Sequence, residues 1–379
     1  MPSFKTQYSG YSVEFSPFED DKLGVATSQH FGIAGQGRQY ILQNDRDAQT
    51  MRKLYTFDTD DGLYDCDGSI KVFDTTNASG GEGAPVMNFA EHSKEVYSVD
   101  YNTVNKDCFV SGSWDNTIKL WNLQAAGAGQ TNASSVETFD EHRYCVYSTI
   151  FSPTNGDLFM SCSGDMTMKI WDVHDISSIQ TARVHNYEVL ACDWNKFNEH
   201  IVCTGAVDKT IKVWDLRNLN QHGAGTVGGG TSSTSSDSSI CTLSGHGFAV
   251  RRVKFSPHDE NIIGSVSYDM SLCIWDTEQG SDNALLEKYE HHSEFVIGLD
   301  FNLEMEDELA SCSWDETVYV WMRGEEPVPT HEENENENDE EDNEIVAQFR
   351  QVLGLARGGG GVEDEDEYED EDEEDEDEE

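Results

Sequence analysis

Residues 142–172 read HRYCVYSTIFSPTNGDLFMSCSGDMTMKIWD, and this one stretch decides the fold. It opens on His142 and passes through Val146 to Phe151, a mostly apolar segment stopped by Ser152-Pro153. A run of small residues, Ser161-Cys162-Ser163, leads to Asp165, and an alternating segment from Thr167 ends in Trp171. Short segments of this kind, punctuated by Pro, Gly and Asp, are antiparallel strands joined by tight turns. The same order of residues occurs four more times, as His92, Asp115, Trp121; His185, Asp208, Trp214; His246, Asp269, Trp275; and His292, Asp315, Trp321. In all five sets 23 positions separate His from Asp and 6 separate Asp from Trp. Fixed spacing over a period of this length marks an array of repeats.

A His, an Asp and a strand Ser in one repeat invite a hydrolase reading, with five possible triads. That reading fails, because a catalytic set occurs once whereas a structural network repeats. The buried Asp, the His, the Ser and the indole N–H can satisfy one another in a chain of hydrogen bonds. The units resemble WD repeats, each of which supplies four strands to one blade of a β-propeller. Three of them end in Trp-Asp (Trp171-Asp172, Trp214-Asp215, Trp275-Asp276). Two further blades precede the five. Tyr11 to Pro17 matches Tyr147 to Pro153, and Asp67 to Phe73 repeats the spacing of 6. The expectation is therefore an all-β, seven-bladed WD-repeat propeller over residues 1–323, with Ser3 to Gln7 supplying the outer strand that the last blade lacks. An open edge strand there would be an aggregation hazard.

The second blade is short. Val96 to Asp115 spans 19 positions, as in the four blades that follow, but the matching Leu63 to Asp67 spans 4. Fifteen residues, about one strand and its turn, are missing after Cys66, and a mis-assigned gene boundary explains this better than a genuinely shortened blade. Residues 221–239, rich in Gly, Ser and Thr, read as a loop inserted between strands.

Composition bounds the rest. The chain carries 74 acidic and 24 basic residues among 379, a net charge of −50. That balance excludes an ordinary nucleic-acid binder, which needs clustered Lys and Arg. From Glu325 to Glu379 there are 27 acidic and 2 basic residues, so residues 324–379 are read as a disordered acidic tail. Within it, 344–356 has apolar residues at helical spacing and reads as a short amphipathic segment. No apolar run is long enough to span a membrane. The N-terminus reads as free of a secretory signal. The nine cysteines are odd in number, form no C-x-x-C pair and sit mostly in apolar runs, as reduced thiols of a cytosolic protein would. No phosphate-binding Gly loop and no zinc spacing is present, so neither cofactor nor metal is expected.

A propeller does not by itself name a function. Several stretches are not generic repeat sequence: Tyr11 to Pro17, Ala26 to Gly35, Asp60 to Asp65, Glu95 to Asp100, Thr204 to Asp208, Ala249 to Pro257 and Ser311 to Thr317. Together they resemble the WD-repeat peroxins, receptors for type-2 peroxisomal targeting signals. The resemblance implies a non-enzymatic receptor in the cytoplasm that captures matrix proteins by an N-terminal signal of the type Arg-Leu-x5-His-Leu. It further implies a co-receptor, a docking complex at the peroxisomal membrane, and cycling between the two compartments. Two alternatives from other classes stay open at this point. One is a histone chaperone, suggested by the acidity; the other is a cullin ubiquitin-ligase substrate receptor, suggested by Trp214-Asp215-Leu216-Arg217.

Ligands of the resembling family lie across one face of the ring, beside the residues just after each structural His and just before each structural Asp. Here the first group is Glu95, Tyr144, Glu188 and Glu294, and the second is Trp114, Val207, Tyr268 and Trp314. The expectation is that Glu95 and Glu188 accept the cationic Arg of the signal, and that Trp114, Tyr268 and Trp314 pack its apolar residues.

Overall fold

Alternation and turn residues become strands where the sequence places them. The computed structural model describes residues 1–32, 35–59, 69–75, 85–124, 134–219 and 238–325. The expected tail, its amphipathic segment and most of the 221–239 insert lie outside the described residues, as does the 60–68 stretch before the truncated blade. Among the described residues there is no α-helix.

Strand β1 (Ser3–Lys5) opens the chain, and β2 (Ser9–Phe15), β3 (Lys22–Ser28), β4 (Gly37–Asp45) and β5 (Thr50–Thr59) form the first four-stranded sheet. Strands β6 (Ser69–Val72) and β7 (Met87–Ala90) form a two-stranded sheet in the place of the second blade. The third blade is β8 (Val96–Tyr101), β9 (Cys108–Ser113), β10 (Ile118–Asn122) and β11 (Glu137–Phe139). The fourth is β12 (Val146–Phe151), β13 (Leu158–Ser163), β14 (Thr167–Asp172) and β15 (Ser178–Arg183). The fifth is β16 (Val189–Trp194), β17 (Ile201–Ala206), β18 (Thr210–Asp215) and β19 (Cys241–Ser244). The sixth is β20 (Val250–Phe255), β21 (Ile262–Ser267), β22 (Leu272–Asp276) and β23 (Leu285–Tyr289). The seventh is β24 (Val296–Phe301), β25 (Glu308–Ser313) and β26 (Thr317–Met322), with β1 as its outer strand. The described ring is thus six complete blades and one of two strands.

Closure works by register. Ser3, Phe4 and Lys5 oppose Tyr319, Val318 and Thr317, and the Thr6 amide donates to the Glu316 carbonyl at 2.8 Å. An edge that would otherwise template pairing with another chain is covered. Packing between blades is equally regular, because the first strand of a blade lies on the sheet before it. Phe151 and Val146 of the fourth blade share a core with Val110, Ile118 and Phe139 of the third. Phe301 and Leu299 of the seventh pack with Ile262 and Ile274 of the sixth.

The remnant of the second blade still contributes a core. Phe89 meets Phe109 at 5.0 Å and Trp121 at 5.2 Å, and Phe57 stacks on Phe73 at 4.7 Å. Its inner strands are missing among the described residues, and the face they would cover is open. Val99 and Tyr101 of β8 are 40% and 42% exposed, against 3% and 4% for Thr149 and Phe151 at the same places in β12.

Each of the five repeats also has a left-handed residue in the same place. Asn116, Met166, Lys209, Met270 and Glu316, each just after the structural Asp, have φ between 63° and 72°. A left-handed non-Gly residue costs about 1 kcal/mol. The Asp offsets it locally: Asp115 Oδ1 accepts from both the amide (3.0 Å) and the hydroxyl (2.6 Å) of Thr117.

Candidate functional site

The five His–Asp–Trp sets form one motif repeated around the ring. His92, His142, His185, His246 and His292 lie 2.8 to 3.0 Å through Nδ1 from Asp115, Asp165, Asp208, Asp269 and Asp315. An ionised carboxylate can only accept, so Nδ1–H donates and Nε2 is left to accept from the strand hydroxyl. That hydroxyl belongs to Ser111, Ser161, Thr204, Ser265 or Ser311, 2.7 to 2.8 Å away. In four blades the hydroxyl also accepts from the indole of Trp121, Trp171, Trp214 or Trp275 at 2.7 to 2.9 Å. Burial would raise the Asp115, Asp165 and Asp269 carboxyls; hydrogen bonds from the paired His and the neighbouring turn hold them well below the usual range instead.

The seventh blade departs from this. His291 is buried beside His292 and places its Nε2 3.3 Å from the same Ser311 hydroxyl, while the Trp321 indole N–H lacks the bond its counterparts make.

The sequence-selected surface residues converge on one end of the ring. The amide of the residue before each Asp reaches back to the loop that follows the His. Trp114 donates to the Glu95 carbonyl at 2.9 Å, and Val207 donates to that of Glu188 at 3.0 Å. Trp314 donates to the carbonyl of Phe295, next to Glu294, at 3.1 Å. Glu95 is exposed and Glu188 half-buried, in the third and fifth blades. Both act on the Cys145 thiol of the blade between them: burial raises it first, and the two negative charges raise it further. Glu188 also accepts from the Tyr147 hydroxyl at 3.0 Å. Tyr144 is 52% exposed beside them. Tyr268 and Trp314 are only 8% and 4% exposed, so they form a floor rather than a wall.

That floor contains residues the motif reading missed. Every first strand of a complete blade carries a one-residue bulge near this end, at Tyr11, Tyr97, Tyr147, Leu190, Arg251 and Ile297. A bulge re-aims the extra side chain and is enriched at functional rims. Here it builds a nearly continuous aromatic path. Tyr11 approaches Trp314 at 5.8 Å, Trp314 approaches Phe295 at 5.2 Å, and Phe295 meets Tyr268 at 5.2 Å. Across the mouth, the Arg251 guanidinium sits 4.5 Å over the Tyr97 ring, which stacks on Trp114 at 5.8 Å. Blades three and six are thereby bridged over the channel. The sequence signal was two large residues in succession, as in Val96-Tyr97 or Val146-Tyr147, where strict alternation predicts one.

This end therefore offers an acidic rim beside an aromatic floor closed by Arg251, and among the described residues no nucleophile is paired to a base outside the repeated network. Among the described residues no group of His, Cys, Asp and Glu is placed to hold a metal ion. Arg217, the residue behind the ubiquitin-ligase alternative, is turned onto Asp215 of its own turn at 2.7 Å.

The family model described as "WD domain, G-beta repeat" matches residues 83–122, 133–172, 176–215, 237–276 and 283–322. The peroxisomal targeting signal 2 receptor of Dictyostelium discoideum is 53% identical over 80% of this chain and 92% of its own length. Peroxisome biogenesis protein 7 of Arabidopsis thaliana is 50% identical over 86% of this chain and 99% of its own length. The peroxisomal targeting signal 2 receptor of Homo sapiens is 43% identical over 76% of this chain and 85% of its own length.

Proposed function

Since the chain belongs to the WD-repeat family and, within it, to the peroxisomal targeting signal 2 receptors, we propose that it binds the N-terminal type-2 signal of peroxisomal matrix proteins on the acidic, aromatic-floored end of its ring. The observation that carries the reading is the arrangement of Glu95 and Glu188 on either side of the fourth blade, beside the Tyr97–Trp114 stack.

A signal folded as a helix presents its Arg and leucines on one face. The guanidinium then lies on the rim, where Glu95 and Glu188 accept it in charge-assisted hydrogen bonds. The leucines lie inward over Trp114, Tyr268 and Trp314, with Tyr144 and Glu294 at the margins. Much of the ligand stays uncovered, which suits a co-receptor closing over it before delivery to a docking complex at the peroxisome. The receptor works from the cytoplasm and returns there. Among the described residues no helix is long and apolar enough to cross a membrane.

The test is a titration of a synthetic signal peptide against Glu95→Lys and Glu188→Lys. Each is expected to weaken binding by about 1.5–3 kcal/mol, the range for a hydrogen bond to a charged group. The Glu188 variant should be the worse, because it also releases Tyr147. The melting temperature should hold, since neither residue belongs to the His–Asp–Trp network. Unchanged peptide affinity in both folded variants would remove the acidic rim as the Arg site.

A further inference from the structure

Below the Arg251–Tyr97 bridge lies a cavity on the channel axis, lined by the first strands of the blades and including Ser98, Ser148, Arg252 and Lys254. The bulge at Arg251 returns the next residue, Arg252, to register opposite Val266. The corresponding residues of the other complete blades are Ser12, Ser98, Ser148, Ala191 and Gly298. Five blades thus place a small side chain at this level of the channel, and the sixth places a guanidinium.

That guanidinium has no paired counter-charge among the described residues. It is half-buried, and with the described residues it makes no hydrogen bond or ion pair. The neighbouring cations are already engaged: Arg251 on the Tyr97 ring, Lys254 with Asp300 at 3.6 Å. The acids of the cavity, Glu14 and Asp100, align with Lys254, two residues further along the strands, a rise of about 6.5 Å. Asp100 is also committed, accepting from the Phe151 amide at 2.7 Å. A partly desolvated guanidinium without a counter-charge is costly, and it presents a planar fork of donors. The thiol of Cys192 lies 3.5 Å from the Ser148 hydroxyl, which keeps its own proton free to donate into the same space.

We propose that this channel is a binding site for a small oxyanion of the phosphate or sulfate class, anchored by Arg252 with the Ser148 hydroxyl beside it, the Ser98 hydroxyl being engaged with Thr149. The site meets the signal-binding face at the Arg251–Tyr97 bridge, whose two residues also line the cavity, whereas Arg252 lies below it. Its occupant neutralises a cation that is unpaired among the described residues and ties the sixth blade to the third and fourth.

The probe is inorganic phosphate, titrated against the full chain at constant ionic strength with chloride as the balancing anion. Melting temperature and calorimetric heat are both recorded. Arg252→Ser, which reproduces the residue of three other blades, should fold normally in chloride. The wild-type protein is expected to gain stability with phosphate concentration, as a ligand of the native state must produce. In Arg252→Ser the affinity should fall about tenfold or more, and Arg252→Lys, which keeps the charge but loses the fork, should lie between. Signal-peptide affinity should be unchanged in all three. An equal phosphate response in wild type and Arg252→Ser, or none in the wild type, overturns the proposal. Should Arg252→Ser fail to fold, Arg252→Lys against an exposed control, Arg217→Lys, decides on the same terms.

Discussion

The third and fourth blades carry the same signature at the same spacing, and their His–Asp, His–Ser and Trp–Ser distances agree within about 0.1 Å. They differ in what stands before them. The fourth blade packs on a complete sheet, so its Phe151 is 4% exposed; the third faces a two-stranded remnant, and its Tyr101 is 42% exposed. A WD repeat therefore leaves part of its apolar surface uncovered by its own folding. The remainder is buried by the neighbour, which is the one-dimensional logic of repeat proteins bent into a ring.

This comparison can be broken directly. Phe151→Ala should destabilise the protein by about 3–5 kcal/mol, the usual cost of emptying an aromatic core site. Tyr101→Ala, at the same register, should cost less than about 1 kcal/mol, as surface changes do. Chemical denaturation of the two variants measures the difference. Inserting a strand-and-turn of fifteen residues after Cys66, copied in pattern from the other blades, sharpens the test. In that background Tyr101→Ala should become as costly as Phe151→Ala. Equal costs in the chain as it stands would mean that something already covers β8.

A second contrast sets the seventh blade against the rest through His291. Burial pushes its imidazole down to about 3, and the neighbouring His292 adds to the effect. The unfolded chain binds that proton near pH 6.5 and the folded chain does not. Stability is therefore complete above 6.5 and is lost as the pH falls from 6.5 towards 3. The loss is about 2 kcal/mol by pH 5. The lowered carboxyls of Asp115, Asp165 and Asp269 act in the same direction, but only below the ordinary carboxylate range, so the two windows separate. In melting curves between pH 7.5 and pH 5 the wild type should lose more stability, or gain less, than His291→Gln; burial raises the Asp100 carboxyl to about 7, and that group acts with the opposite sign in both proteins. Parallel behaviour of the two proteins would clear His291 of the effect.

Much of this architecture was legible beforehand, because it is periodic. The 23 and 6 spacings place five turns and five indoles, and the 4-against-19 deficit places the defect. Ring closure by Ser3 to Lys5 followed from the missing outer strand of the last blade. The floor of the candidate site was not legible in the same way. Tyr97, Tyr147 and Arg251 reach the mouth through a register shift, and a shift changes hydrogen bonding without changing the order of residue types. Nor does sequence say that Tyr268 and Trp314 are covered, since their burial comes from Phe295 and Tyr11, one blade further on.

The smallest expected effect concerns a single hydrogen bond. Trp171 donates to the Ser161 hydroxyl at 2.8 Å, and that hydroxyl in turn serves His142. Trp321 occupies the same place in the seventh blade, yet its indole N–H is buried without that bond, because His291 and His292 both approach Ser311. Trp→Phe removes similar volume at both sites. At 171 it also strands a hydroxyl that had a donor, a loss of about 1 kcal/mol; at 321 it removes a polar group whose burial was already unfavourable. Trp321→Phe should therefore be milder than Trp171→Phe by about 1–2 kcal/mol in urea denaturation. His291→Gln should shrink that difference if it frees Ser311 for the indole. Were the two Trp variants equally destabilised, the seventh network would be no different energetically from the other four, and the geometry of His291 would carry no consequence for stability.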